Sequence, residues 1–128
     1  MSSVVFDTSA VIALLRDEPG AALVAGHIGQ AAMSTVNLQK LVKALILRGL
    51  SEPHIAEMVQ ELRLDLHAHD RADAFASARL TEATRRQGSG LGDRTCMALA
   101  IKLGLPVLTA DRAWAELSVP GLTVEVIR

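Results

Sequence analysis

Three aspartates in this sequence stand where the chain passes into a helix. Asp7 follows Val4-Val5-Phe6, Asp93 follows a glycine-rich stretch from Gly88 to Gly92, and Asp111 comes just after Val107-Leu108-Thr109. Singly, each reads as an N-cap or first-turn acid, worth about 0.5–2 kcal/mol of helix stability. Jointly they read differently. Three carboxylates near one edge would repel each other, and a divalent cation is the usual compensation. Mg²⁺ or Mn²⁺ takes carboxylate oxygens and keeps water ligands. Such a metal can generate hydroxide and stabilise a phosphodiester transition state.

The elements that would position these acids alternate between strand and helix. Val4-Val5-Phe6 is a short apolar run, as expected for a strand buried on both faces. Thr8 or Ser9 is expected to cap a helix starting near Ala10. Pro19-Gly20 ends it, and a short helix through Ala22, Leu23 and Val24 follows. Ala31 to Ser34 reads as a second strand. A long helix is expected over about Asn37 to Arg48, with Leu38, Leu41, Val42 and Leu45 on one face and Gly49 at its end. Ser51 caps the next helix, Pro53 fits its first turn, and Ile55, Met58, Val59 and Leu62 form its stripe. Leu64-Asp65-Leu66 reads as a third strand. Asp70 caps a helix running through Phe75 and Leu80 toward Arg86, with Gly88 beyond it. Asp93 opens a helix with Cys96, Leu99, Ala100 and Leu103 on one face and Gly104 closing it. Val107-Leu108-Thr109 is a strand, a short helix surrounds Trp114, and Leu122, Val124 and Val126 alternate in a last strand.

This order implies an α/β fold, a sandwich around a mainly parallel central sheet. Ligands bind such sheets beyond the carboxyl ends of the strands, where both Asp7 and Asp111 would lie. The 128 residues suit one compact domain, expected over 1–128. With 50% hydrophobic and 21% charged residues, the composition is globular rather than disordered. A net charge of -1 leaves nucleic-acid binding to a local basic patch. A single cysteine excludes an internal disulfide and fits a reducing compartment. Strand residues follow Met1 almost at once, with no signal peptide expected, and Arg16, Lys43, Arg48 and Lys102 interrupt the longest apolar runs. A cytoplasmic protein is therefore expected. Phe6, Phe75 and Trp114 are too few aromatics for a base-stacking platform.

Val5-Phe6-Asp7-Thr8-Ser9-Ala10, Gly92-Asp93-Arg94 and Leu108-Thr109-Ala110-Asp111-Arg112-Ala113-Trp114 resemble the motifs of PIN-domain proteins, and more narrowly of VapC-type toxins. The resemblance covers essentially the whole chain, with the motifs in the family's order. It implies a three-layer PIN-like sandwich and a Mg²⁺- or Mn²⁺-dependent endoribonuclease acting on tRNA or mRNA. It also implies a homodimer and a VapB-type antitoxin that wraps the toxin and blocks its site. Carried over by motif, Asp7, Asp93 and Asp111 match the acidic metal-site positions, with Asp7 and Asp93 as the main contacts and Asp111 as a second or water-mediated one. Thr8 or Ser9 would supply a supporting hydroxyl.

The family's remaining acid belongs three residues after Asn37, where Lys40 stands. Glu18, Glu52 and Glu57 lie in the wrong motifs to replace it. The exchange moves the formal charge of the four positions from -4 to -2. An ammonium can neutralise the aspartates but repels a cation rather than coordinating it. Lys40 is therefore expected to reach toward Asp7 and Asp93 and to impair metal binding and cleavage. The competing expectation is that Lys40 swings to solvent and a weaker three-aspartate site survives. Asn37 is expected to cap its helix rather than to orient a metal-bound water.

Arg94 and Arg112 flank the acids and are candidate RNA phosphate contacts, with salt bridges to neighbouring carboxylates as the alternative. The histidines lack zinc-site spacing, and Cys96 reads as core. The stripes on the third and fourth helices read as core first and as an antitoxin or dimer surface second. Two readings compete with an impaired nuclease. One is a non-catalytic PIN module that binds its antitoxin, or RNA, without cleaving. The other is a phosphohydrolase with Asp7 as nucleophile, which would want a second aspartate where Ser9 stands.

Overall fold

A computed structural model of the chain describes residues 1–85 and 90–128. The expected positions of Arg86 and Gly88 at a helix end lie outside those residues. Among the described residues, β1 (Val4–Phe6), β2 (Ala31–Ser34), β3 (Asp65–His67), β4 (Val107–Thr109) and β5 (Val124–Val126) form one sheet of order β3-β2-β1-β4-β5. Every neighbouring pair is parallel, with Val5 opposite both Ala32 and Val107. The chain first builds outward from β1 to β2 and β3. It then returns to the other side of β1 to lay down β4 and β5. The order therefore switches between β1 and β4, which is where an open parallel sheet leaves a crevice at its carboxyl edge.

Alternation along the strands separates two cores. Val4 and Phe6 face one side, where they meet Val11 of α1 (Thr8–Leu15), Val24 of α2 (Ala21–Ala25), Leu41 and Leu45 of α3 (Thr35–Leu47), and Ile55 of α4 (Glu52–Leu62). Val5 faces the other side with Ala32 and Val107. There it packs against α7 (Leu91–Leu103) through Cys96, Met97 and Ala100, and against Trp114. The result is the expected three-layer α/β sandwich. A fully buried side chain of this size contributes roughly 1.5–3 kcal/mol by leaving water.

Several local readings change. α1 starts at Thr8 rather than near Ala10, and Asp7 is its N-cap residue without a side-chain cap bond. α3 starts at Thr35 and is capped by Ser34, whose hydroxyl accepts from the Val36 amide at 3.1 Å. Asn37 therefore lies inside the helix, and its expected capping role is overturned. Gly49, at φ 87°, lets the chain turn back so that its own amide and that of Leu50 satisfy the carbonyls of Ile46 and Leu45. The helix expected from Asp70 toward Arg86 is two pieces, α5 (Arg71–Ala78) and α6 (Thr81–Thr84). Phe75 is 53% exposed and carries Arg71 over its ring at 5.0 Å. The third strand begins one residue later than expected. The last is confined to Val124–Val126, and the helix around Trp114 is a 3₁₀ turn over Arg112–Glu116.

Candidate active site

The switch between β1 and β4 opens into a cleft of about 300 Å³ lined by Asp7, Thr8, Ser9, Ile12, Lys40, Lys43, Ala44, Asp93 and Asp111. The fold thus brings the three aspartates and Lys40 to one place. Each arrives by a different route. β1 delivers Asp7 directly at its carboxyl end. β4 delivers Asp111, the N-cap of the 3₁₀ turn, whose Oδ1 accepts from the Ala113 amide at 3.0 Å. α7 delivers Asp93 from its first turn, where Oδ2 accepts from the Gly90 amide at 3.2 Å.

Asp7 is 3% exposed and closely supported. Its Oδ2 accepts from Ser9 Oγ at 2.6 Å and from Thr109 Oγ1 at 2.9 Å. Its Oδ1 is buried without a partner. Burial raises the carboxyl pKa above its usual 3.8. The Ser9 and Thr109 hydrogen bonds pull against that rise, the charge of Asp93 adds to it, and Lys40 lowers it slightly. The same hydroxyls tie down the neighbouring loop: Ser9 Oγ accepts from the Ala110 amide at 2.9 Å and Thr109 Oγ1 from the Asp111 amide at 3.1 Å. Thr109 is thus a site residue that the sequence reading missed. Its only signal was a hydroxyl at the end of a strand two residues before an acid.

The opposite wall is made by α3 and α7. Thr8 Oγ1 donates to the Asn37 carbonyl at 2.9 Å, and Asn37 Nδ2 donates to the Gly92 carbonyl at 3.0 Å. Asn37 is fully buried, and its Oδ1 has no partner. Thr8 and Asn37 therefore join α1, α3 and α7, while Ser9 is the hydroxyl on Asp7. Lys40 lines the cleft with Nζ 3.8 Å from Asp93 Oδ1. That ion pair is long and partly solvated, worth no more than about 1 kcal/mol.

Oxygen donors, including an orphaned buried carboxylate oxygen, are the right chemistry for Mg²⁺ or Mn²⁺. Their arrangement is not. Among the described residues, no three His, Cys, Asp or Glu side chains converge as a metal-holding group. An ammonium also stands beside Asp93. As arranged, the residues do not fit a divalent cation.

Other candidates fall elsewhere. Arg112 Nε donates to the Arg128 carbonyl at 3.0 Å. Arg94, next to Asp93 on α7, is half-buried. Glu18 pairs with Arg16 and Arg128 at 3.2 and 3.1 Å, outside the cleft lining. His67 pairs with Asp65 at 3.0 Å. Cys96 is core as expected, its Sγ 3.8 Å from the Phe6 carbonyl, and burial pushes its thiol well above the usual range. Leu41, Leu45, Ile55 and Leu62 are core, but Ile46 and Leu47, which the sequence reading did not single out, are 52% and 78% exposed. No helix among the described residues is long and apolar enough to cross a membrane.

A parallel sheet with carboxylates gathered at its switch point defines an α/β protein of the acidic-cleft type. The family model described as PIN domain matches residues 4–120, and the chain belongs to that family. Comparison with curated protein sequences finds no match. Among solved structures, the fold is similar to DNA-bound VapBC from Salmonella typhimurium, at 18% identity and TM-score 0.74 over 100% of both chains. It is also similar to a toxin–antitoxin complex from Klebsiella pneumoniae, at 18% identity and TM-score 0.71 over 94% of this chain and 96% of that one. A third is VapBC-5 from Mycobacterium tuberculosis, at 21% identity and TM-score 0.60 over 98% and 99%.

Proposed function

We propose that this chain is a VapC-type toxin of a VapB–VapC pair, a single PIN domain whose RNA-cleaving centre is impaired by Lys40. The observation that carries the reading is the Lys40 ammonium 3.8 Å from Asp93, in the cleft that also holds Asp7 and Asp111. The three aspartates stand in the order and setting of a PIN-type endoribonuclease site. The lysine stands where that site has its remaining acid. Arg94 and Arg112 are the proposed phosphate contacts, and Thr8, Ser9 and Asn37 the supporting residues. The substrate class is RNA, the metal Mg²⁺ or Mn²⁺, the setting cytoplasmic. The proposed partners are a VapB-type antitoxin and a second copy of the chain. The VapBC and toxin–antitoxin neighbours and the exposed Ile46 and Leu47 support such partners.

The test is RNA cleavage with added Mn²⁺ by the chain and its Lys40→Glu variant, with EDTA and Asp93→Asn as controls. Weak cleavage by the chain, restored by Lys40→Glu and lost with either control, supports the reading. No cleavage by either protein leaves the second reading, a module that binds its antitoxin or RNA without cutting. That no three acids converge as a metal-holding group among the described residues favours that second reading.

A further inference from the structure

α5 is an alanine-rich helix with one large apolar side chain. Ala72, Ala74, Ala76 and Ala78 surround Phe75 with short neighbours. Ser77, the residue that α5 buries, lies two positions on, about 200° around the helix, so Phe75 stands on the outer face. Phe6 and Trp114 are buried, which leaves Phe75 as the one exposed aromatic ring of the chain. Arg71 and Arg79, both exposed, stand four residues before and after it on that face. Arg79 continues the helical turn, its amide donating to the Phe75 carbonyl at 3.0 Å. The Arg71 guanidinium lies over the ring, 5.0 Å from its centre.

The acids nearby are engaged elsewhere. Asp70 and Asp73 close the capping box at 2.9 and 3.1 Å, and Asp73 also holds Lys102 at 3.1 Å. Glu82 pairs with Arg85 at 3.5 Å. No described carboxylate pairs with Arg71 or Arg79. The outer face is therefore positive at both ends with a ring between. α5 follows β3 after a short turn, and every strand is parallel, so its first turn rises from the same carboxyl edge as the acidic cleft. It packs against α7, the helix that carries Asp93.

We infer that Arg71, Phe75 and Arg79 form a stacking site for one base of a single-stranded RNA, with the two guanidiniums on its flanking phosphates. An aromatic face stacks on any base, and a guanidinium fork matches phosphate oxygens. The inference rests on RNA as the ligand proposed above but not on RNA being cut. One ring takes one base, so the site anchors a strand without reading its sequence.

The experiment follows binding of a single-stranded RNA oligonucleotide by anisotropy in EDTA over a range of salt. It uses the full chain, Phe75→Ala, Phe75→Leu, Phe75→Trp and a double variant, Arg71→Gln with Arg79→Gln, with circular dichroism to verify folding. Phe75→Ala and Phe75→Leu should each weaken binding about tenfold. Phe75→Trp should retain it, and the introduced indole should lose fluorescence on adding RNA. The double variant should reduce the slope of log affinity against log salt by about 0.7 for each arginine removed. Unchanged binding by Phe75→Ala would overturn the site, as would no binding by the parent. So would loss in Phe75→Ala with full retention in Phe75→Leu, because apolar bulk alone would then be acting. A change in the sedimentation of Phe75→Ala without RNA would make this face a contact between copies of the chain and overturn the site equally. Cleavage with Mn²⁺, run in parallel, keeps the two ideas apart. RNA cut by a chain whose binding ignores all four variants sinks the stacking site and leaves the nuclease reading. Weakened binding by Phe75→Ala in a chain that never cuts, even with Lys40→Glu, sinks the nuclease reading and leaves the stacking site.

Discussion

The two walls of the acidic cleft are built to different standards. The wall at the ends of β1 and β4 is a closed set of short hydrogen bonds. Ser9 and Thr109 both hold Asp7, and the same two hydroxyls hold the amides of Ala110 and Asp111. The wall made by α3 and α7 carries the buried amide contact from Asn37 to Gly92, the Thr8 hydrogen bond to the Asn37 carbonyl, and the long Lys40–Asp93 ion pair. The first wall inherits its rigidity from the centre of the sheet, where each strand has a parallel neighbour on both sides. The second depends on two helices meeting at a glycine. A charge reversal on the first wall would disturb a bonded network. On the second it costs little, which is how a lysine can stand in this cleft without disturbing the fold.

This contrast can be broken by substitution. Phe6→Ala empties the core directly behind Asp7 and should cost about 3–5 kcal/mol in chemical denaturation, because Phe6 is fully buried. Thr109→Val keeps the shape of the strand residue but removes the donor to Asp7 and the acceptor for Asp111. A loss of about 1–3 kcal/mol is expected. A loss comparable to that of a surface substitution would show that the β1–β4 wall is not the rigid one.

The next effect is a slope rather than a size. The folded-state pKa of Asp7 is raised above 3.8 chiefly by burial, so between the two pKa values the native state binds more protons than the unfolded one. Its stabilising contribution is full below the unfolded value and is lost as pH rises through the folded one. Asp7→Asn should therefore flatten the fall in stability from acid toward neutral pH, leaving the variant relatively more stable at pH 7. Urea midpoints across pH 4 to 8, taken as the difference between the two proteins, read this directly, and parallel curves would refute it. Lys40→Met is the smallest change, within about 1 kcal/mol, since it gives up only a long, partly solvated ion pair. A larger loss would make the lysine a structural member of the second wall.

The first wall was also the more legible one in the sequence. An apolar triplet followed at once by aspartate announces β1 with Asp7, Val107-Leu108-Thr109 just before Ala110-Asp111 announces β4, and the alternation of elements puts those ends on one edge. Lys40 was visible as a charge in the wrong place. What could not be read depends on contacts between distant segments. Asn37 looks like a helix cap from its neighbours. It is buried because α7, 55 residues later in the chain, docks against it. Gly92 looks like one more loop glycine until α3 lies across it. Thr109 is an ordinary strand residue by propensity, and nothing local says that its hydroxyl faces Asp7. Phe75 stays outside, because α5 is short and the residue it buries is the small Ser77.

The central place of β1 also orders events during synthesis. Its neighbour on one side is complete by Ser34, but its neighbour on the other begins only at Val107. A growing chain that has emerged through β3 already displays Asp7, yet possesses neither Asp93 nor Asp111. No partly made chain of that length can hold the three acids together. The crevice comes into being only when residues about a hundred positions apart pair, the long-range kind of closure that a chain makes late.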